Sequence, residues 1–216
     1  MSHPGFSAYS TRFLMVLLIF TLVVSSFSFG ARSEIANQPS SWTPELSMKV
    51  KGVGGARVSP DGKRVLYTVN ESVMTAEKSE YLTQIWIANS DGGDAYQMTF
   101  GEKPSGSPDW SPDGKWIAFT SSRSGKNNLY MMRAAGGEAE MITDVKSSVG
   151  EFAWSPDGRW IAYTMIDAPT ADEEKNNKGK DDSRWIDENV KMSHLYVTSA
   201  TKDDSGKREP RQLTGN

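Results

Sequence analysis

The sequence contains no cysteine. That excludes disulfides and thiolate metal sites, and it is compatible with an oxidising compartment without requiring one. Histidine is almost as scarce: His3 and His194 are the two present, so beyond the first turns of the chain a single imidazole is available for acid–base work. Basic blocks are missing too. Asp and Glu number 27 against 24 Lys and Arg, a net charge of −3, which argues against a nucleic-acid partner. No G-x-S-x-G occurs anywhere, so the strained elbow that carries a hydrolase serine is not written in this chain. Past residue 31 no uncharged apolar run is long enough to cross a bilayer.

What is present begins with the one apolar run. Arg12 precedes Phe13 to Val24, and the small residues Ser25, Ser26, Ser28 and Gly30 follow. This is the layout of a secretory signal peptide over 1–30, cut after Ser28-Phe29-Gly30, and it predicts a periplasmic or secreted product. The rival is an uncleaved membrane anchor from Phe13 to Ala31. Residues 31–51 read as a polar linker and a short helix. Thr43 stands as N-cap, Pro44 takes the first helical position, and Leu46, Val50 and Val53 recur on a helix-like spacing. The helix is expected to pack on the first repeat and to end in a Gly52-Val53-Gly54-Gly55 turn.

One pattern then organises the chain. Ser-Pro-Asp-Gly followed by a basic residue stands at 59–63, 111–115 and 155–159, copies that begin 52 and 44 positions apart. Pro pre-sets φ at the second turn position, Asp suits the third, and Gly can take the left-handed conformation that closes a hairpin. The segments after the turns, 64–69, 116–120 and 160–164, are β-branched and aromatic. They are nearly continuously apolar, which predicts sheets covered on both faces. A third segment follows in each unit, at 84–88, 128–132 and 194–198, and a fourth at 96–99, 140–143 and 211–214. Four short strands at this period make one propeller blade.

The expected fold is therefore all-β: a partial β-propeller of about three four-stranded antiparallel blades, preceded by a signal-peptide helix. Blade 1 spans 52–101, blade 2 spans 102–145, and blade 3 spans 146–216. Trp110, Trp116, Trp154 and Trp160 flank the hairpins at matching sites and are expected in the core. Insertions fall at one point of every repeat, at 70–83, 121–127 and 166–193, and so emerge on one edge, a common binding surface. The last is so charged that it reads as a mobile loop with one anchored end. His194 occupies the position of Gln84 and Asn128 and reads as a polar strand-start residue. Asp61, Asp113 and Asp157 read as turn formers without calcium-loop spacing.

These residues resemble the start of a bacterial secreted serine peptidase of the prolyl oligopeptidase family, of the acylaminoacyl-peptidase or dipeptidyl-peptidase type. Thr43-Pro44-Glu45-Leu46 and Lys49-Val50-Lys51 running into Val58 to Lys63, with the succession of blades, carry the likeness. Trp110 to Phe119 with Ser122-Arg123-Ser124-Gly125 is similar to TolB-type propeller repeats as well. The resemblance implies a propeller that gates access of small peptides to a C-terminal α/β-hydrolase domain absent from this chain. It implies no cofactor, no metal and no catalytic residue here. In some relatives propeller carboxylates hold the substrate's amino terminus; Glu173, Glu174, Asp187 and Glu188 are the candidates in the right kind of loop. The alternative is a TolB-like periplasmic propeller that binds proteins without chemistry. Three blades fall short of the four to eight that close a propeller, so the chain is expected to be the N-terminal part of a longer protein.

Overall fold

The Ser-Pro-Asp-Gly turn owes its shape to its own side chains. In a computed structural model, which describes residues 42–179 and 191–215, the Ser59 hydroxyl donates to Asp61 Oδ1 at 2.6 Å and accepts the Arg64 N–H at 2.9 Å. The Lys63 N–H donates to the same Asp61 oxygen. Ser111 with Asp113, and Ser155 with Asp157, repeat this bond for bond. Gly62, Gly114 and Gly158 close the turns at φ of 72°, 69° and 69°, where any other residue would be strained. Hydrogen bonds from the serine hydroxyls, the largest cause, hold the Asp61, Asp113 and Asp157 carboxyls below the usual range.

Each turn joins the first two strands of a four-stranded antiparallel sheet. The first sheet is β1 (Gly52–Val58), β2 (Arg64–Met74), β3 (Ser79–Asn89) and β4 (Tyr96–Gln97). The second is β5 (Ser105–Trp110), β6 (Trp116–Ser121), β7 (Asn128–Arg133) and β8 (Glu140–Met141). The third is β9 (Val149–Trp154), β10 (Trp160–Ile166), β11 (Ser193–Ser199) and β12 (Arg211–Gln212). In all three the spatial order follows the chain order. Two short helices complete the described residues, α1 (Pro44–Met48) and α2 (Ala171–Gly179). This is the predicted arc of three blades.

The sheets stack face to face, and the period of two along each strand decides which residues meet. Leu66, Ile85, Ile87 and Met98 of blade 1 form one core with Trp110, Ile117, Phe119, Tyr130, Met132 and Ala134 of blade 2. Ala118, Leu129, Met131 and Ile142, on the other face of blade 2, form a second core with Ile161 and Ala200 of blade 3, flanked by Trp116, Phe152 and Trp154. Among the described residues only the middle blade is covered on both sides. From Ile117 to Ser121 and from Asn128 to Met132 every residue is buried, whereas β2 and β10 bury one face. The turns stack as well: a Cβ on Gly114 would lie 3.6 Å from the Pro60 ring, and one on Gly158 3.6 Å from Pro112.

Six expectations need correction. The outer sheets are not covered on both faces, because no fourth sheet lies against either of them among the described residues. The tryptophans therefore divide by position. Trp110 is buried, Trp116 and Trp154 are half-buried at the second seam, and Trp160, whose side faces outward from blade 3, is 44% exposed. The segment 70–83 is not a loop: β2 and β3 pair without a break from Arg64↔Asn89 to Met74↔Ser79, a two-stranded ribbon closed by Thr75 to Lys78. Gly52 to Gly55 lies in β1, where Gly55, at φ 62°, sits in a β-bulge. The helix ends at Met48, buries no residue, and touches the first blade where the Ser72 hydroxyl donates to the Met48 carbonyl. The charged insertion opens with α2. The signal segment 1–30 and the linker through Ser41 lie outside the described residues.

Candidate functional site

With strand order following chain order, the Ser-Pro-Asp-Gly turns share one edge of the blades and the β2–β3, β6–β7 and β10–β11 connections share the other. That second edge carries the chain's irregular chemistry. At matching repeat positions each third strand carries a polar residue that is buried: Gln84, Asn128 and His194. In blade 2 the Thr143 hydroxyl donates to Asn128 Oδ1 at 2.9 Å and accepts the Leu129 N–H, and the Val145 N–H donates to the same Asn128 oxygen. Blade 1 builds the same lock from Gln84, Thr99 and the Ile85 N–H. In blade 3 Thr214 accepts the Leu195 N–H, and His194 does something different.

His194 Nε2 lies 3.0 Å from Asp167 Oδ1, and Asp167 is the first residue past β10. The other Asp167 oxygen accepts the Met192 N–H, while the Asp167 N–H donates to the Met192 carbonyl. The neck of the insertion is thus closed at its two ends. Above the neck, Thr170 and Glu173 form a capping box: the Thr170 N–H donates to Glu173 Oε2 at 2.7 Å and the Glu173 N–H to the Thr170 hydroxyl at 3.3 Å. That reciprocal pair starts α2 in a segment with little apolar burial to offer. Lys191 Nζ reaches back to Glu173 at 2.7 Å and to the Ala168 carbonyl.

Of the four carboxylates singled out in the sequence, Glu173 is committed to Lys191 and the helix start, and the Lys191 hydrogen bond holds its carboxyl below the usual range. Glu174 is exposed one residue further on. Asp187 and Glu188 lie outside the described residues. The Asp167–His194 and Glu173–Lys191 pairs were not anticipated. The capping box was legible in Thr170-Ala171-Asp172-Glu173, whereas the pairings depend on how the neck closes. We expect Thr170→Ala to cost α2 about 1 kcal/mol. Limited trypsinolysis should then cut within 171–180 faster than in the parent, with the thermal midpoint of the blades unchanged. Equal cleavage rates would remove the capping box as the organiser of this segment.

Arg123 stands beside the neck of blade 2, its guanidinium stacked on Phe119 and Tyr130 at 5.4 and 4.9 Å and bonded to the Ser105 and Ser121 hydroxyls. It seals the top of the first core. The opposite edge has a cavity of about 270 Å³ between the first two turns, lined by Pro60, Asp61, Arg64, Asp113 and Gly114. Its cation is already used: Arg64 lies over the Trp110 ring and donates to the Ala134 carbonyl. The chemistry available for a ligand therefore concentrates at the insertion edge.

Blade 3 is clamped to blade 2 at the outer rim. Arg208 grips Glu140 with two hydrogen bonds of 2.9 and 3.2 Å, and Lys202 adds a third contact at 2.6 Å. Hydrogen bonds from Arg208, then from Lys202, hold the Glu140 carboxyl down at about 2. A lowered carboxylate stabilises the fold above its ordinary pKa and loses that contribution as pH falls toward the folded value. The gap in thermal midpoint between the parent and Glu140→Gln should thus be constant near neutrality, shrink below about pH 4.5 and close near pH 2. A gap that does not change over that range would contradict the clamp.

Comparisons with known proteins agree with this geometry. The family model of the TolB beta propeller domain matches residues 34–193. Dipeptidyl-peptidase 5 of Porphyromonas endodontalis is 32% identical over 114 residues, covering 53% of this chain and 16% of the relative. An uncharacterized peptidase of Bacillus subtilis, YuxL, is 39% identical over 84 residues, covering 38% of this chain and 12% of the relative. Among solved structures, the Pyrococcus horikoshii acylaminoacyl peptidase superposes with a TM-score of 0.55 at 18% identity, over 79% of this chain and 26% of that one. The chain thus spans a small part of the length of the proteins it matches.

Proposed function

The chain belongs to the TolB β-propeller domain family, and from that premise we propose that it is the propeller segment of an exported serine peptidase, admitting small peptides to a hydrolase domain that the chain does not contain. The observation that supports this most is the 32% identity to a dipeptidyl-peptidase over 114 residues. Stacked blades with their insertions drawn to one edge suit a gate, because a blade edge holds the loops in place while the loops set what passes.

In this reading the segment contributes no catalytic group. His194 is paired with Asp167 within the blade, which suits a structural place at the strand and supports this reading. The insertion of blade 3 supplies the carboxylates for a peptide's amino terminus. With Glu173 held by Lys191, Glu174, Asp187 and Glu188 are left for that contact. The blades are assigned to 52–101, 102–145 and 146–216, and the segment 1–30 to export.

The test uses the protein in its own cell. An antibody raised against this chain should recover, from the exported fraction, a polypeptide that a fluorophosphonate labels and that cleaves short peptides but not folded proteins. The isolated chain should remain unlabelled. Recovery of a polypeptide that the fluorophosphonate does not touch would overturn the peptidase reading and leave a propeller that binds without chemistry.

A further inference from the structure

The two seams between blades are built from the same repeat positions, yet they differ in how their polar groups are satisfied. In the first seam the Trp110 indole N–H donates to the Arg57 carbonyl at 3.0 Å, the Arg64 guanidinium donates to the Ala134 carbonyl, and buried Met132 completes the apolar lining. By position in the repeat, Trp154, Ala200 and Thr198 are the counterparts of Trp110, Ala134 and Met132 in the second seam. The Ala200 carbonyl again receives a guanidinium, here that of Arg208. There the likeness stops. Trp154 Nε1, Thr198 Oγ1 and Arg208 Nε are all buried without a hydrogen-bond partner among the described residues. Thr198 is 1% exposed and the Arg208 side chain 7%.

These groups share one face of blade 3. Thr198 stands opposite Ile161 in the ladder, and Ile161 opposite Trp154, so the three side chains form a row on the side that packs on blade 2. Arg208 is bonded at Ala200, two positions past Thr198 and therefore on the same side. Its terminal nitrogens are taken by Glu140 and by the Ala200 carbonyl, which leaves the Nε–H. An indole and a guanidinium can only donate, and a hydroxyl can do either. What the face lacks is an acceptor. Buried polar groups left over by the protein ordinarily hold a bound molecule, because stranding them in a dry seam is costly. We propose that the seam between blades 2 and 3 holds one small acceptor, a water molecule or a halide ion, bound by the Thr198 hydroxyl and the Arg208 Nε–H with the Trp154 N–H as the third donor. Charge admits either occupant, since Arg208 and Lys202 converge on the single carboxylate of Glu140. The first seam has no such site, because Met132 takes the place of Thr198 and the Trp110 N–H is satisfied. The inference concerns an interior seam and is independent of the peptidase reading.

Thr198→Val keeps the shape of the side chain and removes the hydroxyl, so the sign of its effect is the test. A hydroxyl with nothing bound to it is better removed, and the variant would then be as stable as the parent or more so. With the acceptor in place the variant should instead lose about 2–4 °C of thermal midpoint, the shift that one hydrogen bond makes in a domain of this size. A crystal structure of the full chain grown in bromide gives the second readout. It should show a peak within hydrogen-bonding reach of Thr198 Oγ1 and Arg208 Nε. Anomalous scattering at that peak identifies a halide, and the gap between parent and variant should then widen as chloride is raised. A peak without it identifies water, and the gap should not depend on chloride. A variant at least as stable as the parent, or a seam with no peak touching both groups, would overturn the proposal.

Discussion

Phe119→Ala is expected to lower the unfolding free energy by about 3–5 kcal/mol, the usual cost of emptying a fully enclosed aromatic site. Phe119 is 0% exposed, stacks on Tyr130 at 5.8 Å, shares with Tyr130 the Arg123 guanidinium that lies over both rings and belongs to the core between blades 1 and 2. Because the sheets on either side hold their own backbone ladders, the site has little freedom to collapse. Tyr67→Ala removes the side chain at the same repeat position of blade 1, where the face is open and the ring half-buried. That change should cost less than half as much, since the area removed from water is smaller. Chemical denaturation with matched slopes measures both. Equal losses would mean that the blades do not stack in the order given above.

Asn128→Leu comes next in size, for a different reason. The side chain is 2% exposed and its amide satisfies the Thr143 hydroxyl, the Val145 N–H and the Ser124 hydroxyl at the place where β7 enters the insertion edge. Leucine has nearly the right volume and no polar atom. The Val145 N–H and the Thr143 hydroxyl would each lose a partner in a dry site, at about 1–3 kcal/mol per stranded group, so the total should exceed about 2 kcal/mol. Asn128→Gln should restore part of it, because Gln84 performs the same task in blade 1 with the longer side chain. A leucine variant as stable as the parent would show that the lock is ornamental.

Much of this fold could be read from residues alone, because a motif used three times carries its own register. Ser-Pro-Asp-Gly named the turns, and the apolar segments after Gly62, Gly114 and Gly158 named the second strands. What failed was set by tertiary context. The apolar continuity of 116–120 signals burial on both faces and meets it, while equally apolar residues in 64–69 and 160–164 have, among the described residues, a neighbouring sheet on one side only. Trp160 repeats Trp116 in sequence but not in surroundings. The spacing of Leu46, Val50 and Val53 suggested a helix, yet glycines at 52, 54 and 55 favour a bulged strand that the β2 ladder recruits. Residues 70–74 and 79–83 extend as strands because they pair with each other, a long-range gain that local polarity conceals.

At the candidate site the split is similar. Placing the insertions on one edge needed only the repeat, and the carboxylates of the third insertion were visible as a composition. Which of them is spoken for was not. Glu173 is taken by Lys191, eighteen positions away in the chain, and His194 by Asp167 across the neck; both pairings exist only once β10 and β11 are zipped together.

The central claim is that three like sheets stand side by side in chain order, turn upon turn. Nitroxide labels placed in pairs at Lys63, Lys115 and Arg159, in a chain with no cysteine of its own and diluted with unlabelled protein, measure it by electron–electron double resonance. Since Gly114 rests on Pro60 and Gly158 on Pro112 at the same 3.6 Å, the 63–115 and 115–159 distances should be alike, and the 63–159 distance distinctly longer. A 63–159 distance no longer than the other two, or two unlike neighbour distances, would contradict the stacked arc.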